Sequence, residues 1–398
     1  MEERWDHRAD LAEQAVEERH CSRLWAIPRT NLAVVSWPPT TRDKLFYHWH
    51  IDWQAQYLDC QADAAERRSR KSRLSMIRRT VRAVRIRNLG PLPKHTDYDD
   101  KAWLTLALHR VHHLERYGKV RYLHGLEDNI FAGVDELTGV LPWTPGDTYY
   151  NVPTNGPVAV LAARSGRPEL AAQLLNWIYT HLVDADGLIT DGLRMTLSGP
   201  ERVDEIRAAN QGIVLGALVE IARARRADAG VADAAVDETG MTAITRVHHL
   251  VESISRHMTT PGGVIDWHAD GGDHGLSKGI LARYLALVAT DLPSDDRLSR
   301  STRRLARRLV LRSAESVWHH RLEMDGLPVF PAGWAQDAVL PQSGSPLGAV
   351  LAGHPGAADI PERDLSVQLS GWMLMEAAAK VSVLPGGGPD TTGGSDSA

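Results

Sequence analysis

The chain has 398 residues, 43% of them hydrophobic and 24% charged, proportions that suit a globular protein and exclude a largely disordered one. A formal net charge of -5 with a pI near 6.4 argues against binding polyanions by bulk electrostatics. Two cysteines, Cys21 and Cys60, with no short-spaced Cys/His set around them, indicate neither a disulfide framework nor a structural zinc site and fit a reducing compartment.

The first residues, Met1-Glu2-Glu3-Arg4-Trp5-Asp6-His7, are charged and carry none of the apolar core of a secretory signal, so a cytoplasmic chain is expected. No window reaches the ~18 to 20 apolar residues that span a bilayer. Apolar residues then recur at helical spacing nearly throughout, as in Leu104, Ala107, Leu108 and Val111, or Leu281, Tyr284, Leu285 and Val288. The pattern predicts helices near 8–19, 44–66, 70–86, 98–117, 123–136, 155–165, 168–183, 207–226, 240–258, 275–290, 298–319 and 363–382. Gly-, Pro- and Asp-rich connectors such as Leu141 to Asp147 and Thr260 to Gly263 separate them. No Pro/Ser/Gly-rich linker interrupts residues 1–384, so one all-α domain of stacked helical hairpins is expected, an (α/α)6 barrel. Residues 385–398 read as a disordered Gly/Pro/Ser tail.

Within this scaffold, Tyr98-Asp99-Asp100-Lys101-Ala102-Trp103 sets two adjacent carboxylates between aromatic rings. Two carboxylates a few ångströms apart cannot both ionise freely, so one tends toward a proton donor and the other toward an anion, the division of labour that glycoside hydrolysis needs. The spacing alone favours a plainer role, because Asp97, Asp99 and Asp100 also suit the cap and first turn of a helix. Inside a regular helix neighbouring side chains project ~100° apart, so both can address one bond only near a helix start. Consecutive Cα atoms ~3.8 Å apart can there supply the carboxyl separation of about 5 to 5.5 Å that a retaining mechanism uses.

Several other segments accompany this one in order: Trp49-His50-Ile51-Asp52-Trp53-Gln54-Ala55, then Asp186-Gly187-Leu188-Ile189-Thr190-Asp191-Gly192-Leu193, then Asn210-Gln211-Gly212 leading a helix, then Lys278-Gly279-Ile280 with Arg283-Tyr284-Leu285. Together with Tyr98 to Trp103 they resemble glycoside hydrolase family 76, the endo-acting α-1,6-mannanases, over most of the chain. The resemblance implies an (α/α)6 barrel without a cofactor or metal, Asp99 as nucleophile and Asp100 as acid/base. The implied reaction is retaining hydrolysis of an α-1,6-mannan backbone through a mannosyl-enzyme intermediate. Tyr98, Trp143, Asp191, Asn210 and Gln211 are the candidate sugar-binding residues, and a mannose-containing oligosaccharide, polysaccharide or glycolipid is the expected partner.

The chain departs from that family where many members carry a Gly-rich segment ending in two tryptophans. Here Gly139-Val140-Leu141-Pro142-Trp143 keeps one, and the Asn-Gln pair follows Ala209 instead of a tyrosine. A carbohydrate-binding pseudoenzyme of the same fold is the alternative. Among other clusters, His109, His112 and His113 have metal-compatible spacing but no recognised motif, and read as a polar helix face. The Arg67 to Arg87 segment contains no acid and reads either as a solvated face or as a contact for an anionic membrane surface. Nucleic-acid binding is not expected, because aromatic residues are not interleaved with these arginines.

Overall fold

The computed structural model describes residues 2–47, 49–90, 97–228, 238–294, 296–340 and 360–384; the expected tail lies outside them. Thirteen α-helices are present among the described residues: α1 (Glu2–His20), α2 (Thr41–Lys44), α3 (Ile51–Arg67), α4 (Lys71–Arg87), α5 (Tyr98–His113), α6 (Leu123–Phe131), α7 (Val152–Arg164), α8 (Pro168–His181), α9 (Ala208–Asp228), α10 (Glu238–His257), α11 (Ser277–Asp291), α12 (Arg297–His320) and α13 (Leu365–Ser382). Most lie where the apolar spacing places them. The helix expected over 44–66 is instead the single turn α2 followed by α3, because the chain leaves helical geometry after Lys44, with Phe46 at φ 55°.

The odd-numbered helices from α3 to α13 form a closed ring: α3 packs on α5, α5 on α7, α7 on α9, α9 on α11, α11 on α13, and α13 returns to α3. Helices α1, α4, α6, α8, α10 and α12 lie outside that ring, each against one or two inner helices. Inner and outer helices alternate along the chain, so the architecture is an (α/α)6 toroid in which the inner helices start at one mouth. Burial separates the layers. Every residue of α13 from Leu365 to Ala379 is buried, whereas α12 buries one stripe, with Ala306, Leu309, Val310, Ala314 and Val317 as its apolar members and Ser299, Thr302 and Ser313 beside them.

Two glycines let the inner helices approach. A Cβ on Gly212 would lie 2.7 Å from the Leu281 Cα, and one on Gly279 would lie 2.6 Å from the Ser370 Cα. Backbone thus meets backbone between α9 and α11, and between α11 and α13, where the Gly279 N–H also donates to Ser370 Oγ at 2.8 Å. Trp372 fills the ring beside them, fully buried, its indole N–H donating to Glu376 Oε1 at 3.0 Å. Burying such a side chain contributes about 2 to 3 kcal/mol when its polar atom is satisfied.

The helical reading omitted the strands. β1 (Cys21–Ser22) pairs with β2 (Leu32–Ala33), β3 (Tyr149–Asn151) pairs with β4 (Thr190–Thr196), β4 pairs with β5 (Gly199–Ile206), and β6 (Leu322–Met324) pairs with β7 (Leu327–Val329), all antiparallel. The β4–β5 hairpin stands where the sequence suggested only a loop, and it ends just before α9. Its outer residues are polar and exposed, so they carry no apolar alternation by which to recognise strands.

Candidate active site

The first turns of the inner helices bring four carboxylates together. Asp99 and Asp100 come from α5, Asp52 from α3, and Asp273 from the 3-10 turn Gly272–Leu276 that leads into α11. The Asp100 carboxylate accepts the backbone N–H of Asp52, which ties the starts of α5 and α3. Asp273 accepts the Trp53 indole N–H at 3.3 Å, and the Trp53 ring stacks on His50 with centroids 4.6 Å apart. Asp52 and Asp273 were not singled out from sequence, although Asp52 and Trp53 lie inside a segment quoted for its resemblance. The signal for Asp52 was its place at the start of an inner helix, which only the ring makes visible.

Asp99 resolves the question of capping. Asp97 occupies the N-cap position of α5 yet makes no side-chain capping bond, while Asp99 Oδ1 accepts the Asp100 N–H at 2.8 Å. One Asp99 oxygen therefore serves the helix start. The other, Oδ2, faces the Trp143 indole N–H at 3.3 Å. Capping and a place in the cleft are held by one carboxylate through its two oxygens. Trp143 is fixed from behind as well: the Tyr98 N–H donates to its carbonyl at 2.9 Å, and its own N–H donates to the Tyr149 carbonyl at 2.7 Å. Its ring stays 37% exposed, a surface available for stacking.

The two neighbours differ in acidity. Burial, first, raises Asp99 to about 6, against the pull of the Asp100 N–H and the Trp143 indole. Burial, with the charges of Asp99 and Asp97 added, raises Asp100 to about 7. Asp52 is driven well above the ordinary carboxyl range by burial and then by Asp100, Asp273 and Asp99. The expectation that one of the pair would fall while the other rose is therefore corrected. Both rise, because desolvation acts first on each of them.

Around this core the remaining candidates divide. Asp191 is buried, accepts from the Tyr149 hydroxyl and from Asn210 Nδ2 at 3.1 Å, and forms an ion pair with Arg207, whose Nε lies 3.4 Å away. It stands at the irregularity of the hairpin, where Asp204 and Glu205 of β5 lie opposite it. Asn210 is only 1% exposed and bound to Asp191. Gln211 departs from the sequence expectation. It is fully buried, its Oε1 accepts the Ile189 N–H at 2.8 Å, and its Nε2 donates to the carbonyls of Ile189 at 2.7 Å and Arg207 at 3.0 Å. Both amide hydrogens are thus spent on fastening the hairpin to α9, and none is left for a sugar hydroxyl. Tyr98 is also a wall residue. Its ring covers Gly133, where a Cβ would come within 2.6 Å of it, and the Lys101 ammonium lies 4.9 Å from its centroid.

Lys278 underlies the same mouth. Its ammonium donates to the carbonyls of His268 and Ala332, both at 2.7 Å, and burial lowers it to about 8. It thereby joins the loop before α11 to the segment after β7. Trp267, unassigned from sequence, donates its indole N–H to the Ile206 carbonyl at 2.9 Å at the end of β5. Trp334 is buried over Lys278 and Trp372 is buried in the ring, so both belong to the core. Among the described residues no group of three or more His, Cys, Asp or Glu is arranged to hold a metal ion. His112 Nδ1 accepts the Val120 N–H, and His113 bonds to the His109 carbonyl.

A cavity of about 860 Å³ opens at the other end of the inner ring, lined by Asp59, Asp63, Arg110, Arg283 and Glu376 among others. Its charges are paired with one another: Arg110 to Asp59 and Asp63 at 2.6 Å each, Arg283 to Asp59 at 2.9 Å and to Asp63 at 2.8 Å, and Arg67 to Glu376 at 2.8 Å. That end is an ion-pair network, and the unbalanced carboxylates are at the opposite mouth.

Comparison with solved structures places the whole architecture. An inactive variant of the α-1,6-mannanase GH76A of Salegentibacter sp. HEL1_6, with two successive aspartates replaced by alanine and in complex with α-1,6-mannotetrose, matches with a TM-score of 0.73 at 21% identity, over 95% of this chain and 99% of that one. The chain has the fold of the family 76 mannanases. A family 76 glycoside hydrolase from a bovine Bacteroides thetaiotaomicron strain matches with a TM-score of 0.67 at 11% identity, over 94% of this chain and 77% of that one. An unsaturated glucuronyl hydrolase specific for heparin matches with a TM-score of 0.60 at 11% identity, over 96% and 98%. No protein-family model and no curated protein sequence matches this chain.

Proposed function

We propose that the protein is a family 76 glycoside hydrolase, a retaining endo-α-1,6-mannosidase that cleaves a mannan backbone with Asp99 as nucleophile and Asp100 as acid/base. The observation that carries this reading is the placement of two adjacent carboxylates in the first turn of α5, in the mouth of an (α/α)6 ring, with Asp99 held by the exposed Trp143 indole and both carboxyls raised by burial. In this reading Asp99 reacts as the anion and Asp100 as the proton donor, and the raised acidity range of both carboxyls lets the pair keep one proton near neutral pH. Asp99 can then attack the anomeric carbon while Asp100 gives its proton to the leaving glycosidic oxygen. In the second half-reaction Asp100, now a carboxylate, takes a proton from water, and the covalent mannosyl ester on Asp99 is hydrolysed.

The neighbouring groups support those roles. The Trp143 indole N–H steadies the Asp99 carboxylate as its charge changes, and the exposed ring offers a flat face to a sugar. Asp191 and Asn210 are braced by Tyr149 and Arg207 and are the candidates for hydroxyl recognition. The likeness to a mannanase variant made inactive by replacing two successive aspartates fits this assignment.

Incubation with linear α-1,6-mannan, with the anomeric configuration of fresh products followed by NMR, tests the reading. The expected result is shorter α-1,6-linked oligomers released first as the α-anomer. Asp100→Asn should lower kcat by about 10²- to 10⁴-fold, the usual contribution of a positioned general acid. Inverted products, or cleavage of unsaturated uronides instead of mannan, would reject it. Oligomannose binding without any cleavage would identify a pseudoenzyme.

A further inference from the structure

We propose that the outer face of α4, with the exposed apolar residues at its C-terminal end, is a docking surface for an anionic lipid bilayer. The inference does not depend on the catalytic reading. The structure divides the acid-free Arg67 to Arg87 segment into two parts with different surroundings. In the first, Arg67, Arg68 and Arg73 pair with carboxylates of α1: Arg67 and Arg73 with Asp10 at 2.8 and 2.6 Å, and Arg68 with Asp6 at 3.2 Å. That half ties α1 to the end of α3 and the start of α4. In the second half Arg78, Arg79, Arg82 and Arg85 are exposed, and no carboxylate pairs with any of them among the described residues.

The α4 helix is amphipathic, with Leu74, Ile77, Ala83 and Val84 in the core and these arginines outward. A helix C-terminus attracts cations in its last turn, which accounts for Arg85 and Arg87 alone. Arg78 reaches along the neighbouring α5–α6 connector, donating to the carbonyls of Arg116 and Tyr117 at 3.2 and 3.1 Å. In that connector, residues 114–122, the exposed charged side chains are Arg116, Lys119 and Arg121 against Glu115. The local sign is therefore opposite to the net charge of the chain, -5.

Apolar exposure at the end of α4 separates a lipid surface from a merely solvated face. Leu89 is 92% exposed and Tyr47 is 72% exposed, with Trp25 and Leu45 at 45% and 43%. Arg87 gathers them: its guanidinium donates to the Phe46 carbonyl at 3.3 Å and lies 5.8 Å from the Trp25 ring centroid, while the Trp25 indole N–H donates to the Leu45 carbonyl at 2.9 Å. Trp25 and Leu89 are exposed although both have positive φ, as does the buried Phe46 between them, so the backbone carries a conformational cost at this cluster. Unpaired arginines beside Trp, Tyr and Leu are the composition of an interfacial membrane contact, where basic groups meet anionic headgroups and amphipathic rings settle at headgroup depth.

Co-sedimentation of the full chain with vesicles of phosphatidylcholine alone, and of phosphatidylcholine with phosphatidylglycerol, tests the proposal. The expected result is partition onto the anionic vesicles only, weakening as salt is added. The triple variant Arg79→Glu, Arg82→Glu, Arg85→Glu should lose at least about tenfold in partition, since each basic group near an anionic surface contributes appreciably. The double variant Tyr47→Ser, Leu89→Ser should lose several-fold, with an unchanged circular dichroism spectrum and melting temperature confirming the fold of both. Equal partition onto neutral and anionic vesicles, or none onto either, overturns the proposal. So does loss on charge reversal with no loss on removing Tyr47 and Leu89, which together with binding to heparin or RNA would make the face a polyanion site.

Discussion

At the scale of single residues, the acidity of the carboxylate cluster governs both chemistry and stability. Burial raises Asp52 and Asp100 at the starts of α3 and α5, and the charge of Asp273 adds to both. Asp273→Asn removes that charge, so Asp100 should lose its proton at lower pH. The alkaline limb of the kcat profile on mannan should move to lower pH while the acid limb, set by Asp99, stays nearly in place. An unchanged alkaline limb would assign that limb to another group. The same carboxyls make a stability prediction. Their folded-state values lie above the ordinary 3.8, so their contribution to folding is fully present below about 4 and is lost as pH rises through about 6 to 7. Asp99→Asn with Asp100→Asn should therefore melt higher than the parent at pH 8, with the difference shrinking toward pH 5, as thermal denaturation across that range would show. The pair itself was legible in the sequence, as two acids at a helix start. Its fourfold company was not, because Asp52 and Asp273 are more than two hundred positions apart.

At the scale of elements, the outer helices were legible because each buries one apolar stripe with a 3.6-residue period, and the inner ones because apolar residues recur along them between Gly- and Pro-rich breaks. The β4–β5 hairpin was not, because its pairing is backbone to backbone and its side chains mostly face solvent. Its attachment to α9 through Gln211 explains why a residue expected at a sugar became a strut. Closeness between elements was half legible: the glycines after Asn210-Gln211 and after Lys278 marked motifs, and the structure supplies their physical reason. Gly212→Ala would press a Cβ against the Leu281 backbone at 2.7 Å, which no flexible side chain can relieve. We expect a loss of about 1 to 3 kcal/mol in urea-induced unfolding, typical of overpacking. A loss of a few tenths would mean that α9 and α11 separate easily.

At the scale of the whole molecule, the ring divides its charges between two mouths. Arg67, Arg110 and Arg283 pair with Asp59, Asp63 and Glu376 across α3, α5, α11 and α13, joining helices far apart in the chain. Arg283→Met leaves Asp59 and Asp63 with one guanidinium instead of two. It should cost about 3 kcal/mol or more in chemical denaturation at pH 7, the range for stranding a buried charge. From sequence Arg283 marked a motif and Arg67 opened a basic segment, but nothing local says that these residues meet. Because all six inner helices start at one mouth, their peptide dipoles add in the same sense. The toroid behaves as a bar with a positive pole under Asp52, Asp99 and Asp100 and a negative pole where Arg67, Arg110 and Arg164 close the last turns of α3, α5 and α7. Four acids crowded at the second pole would be repelled by carbonyl ends as well as by one another. At the first, each meets outward-pointing N–H groups, so the polarity of the ring decides at which mouth an acid-bearing cleft can be built.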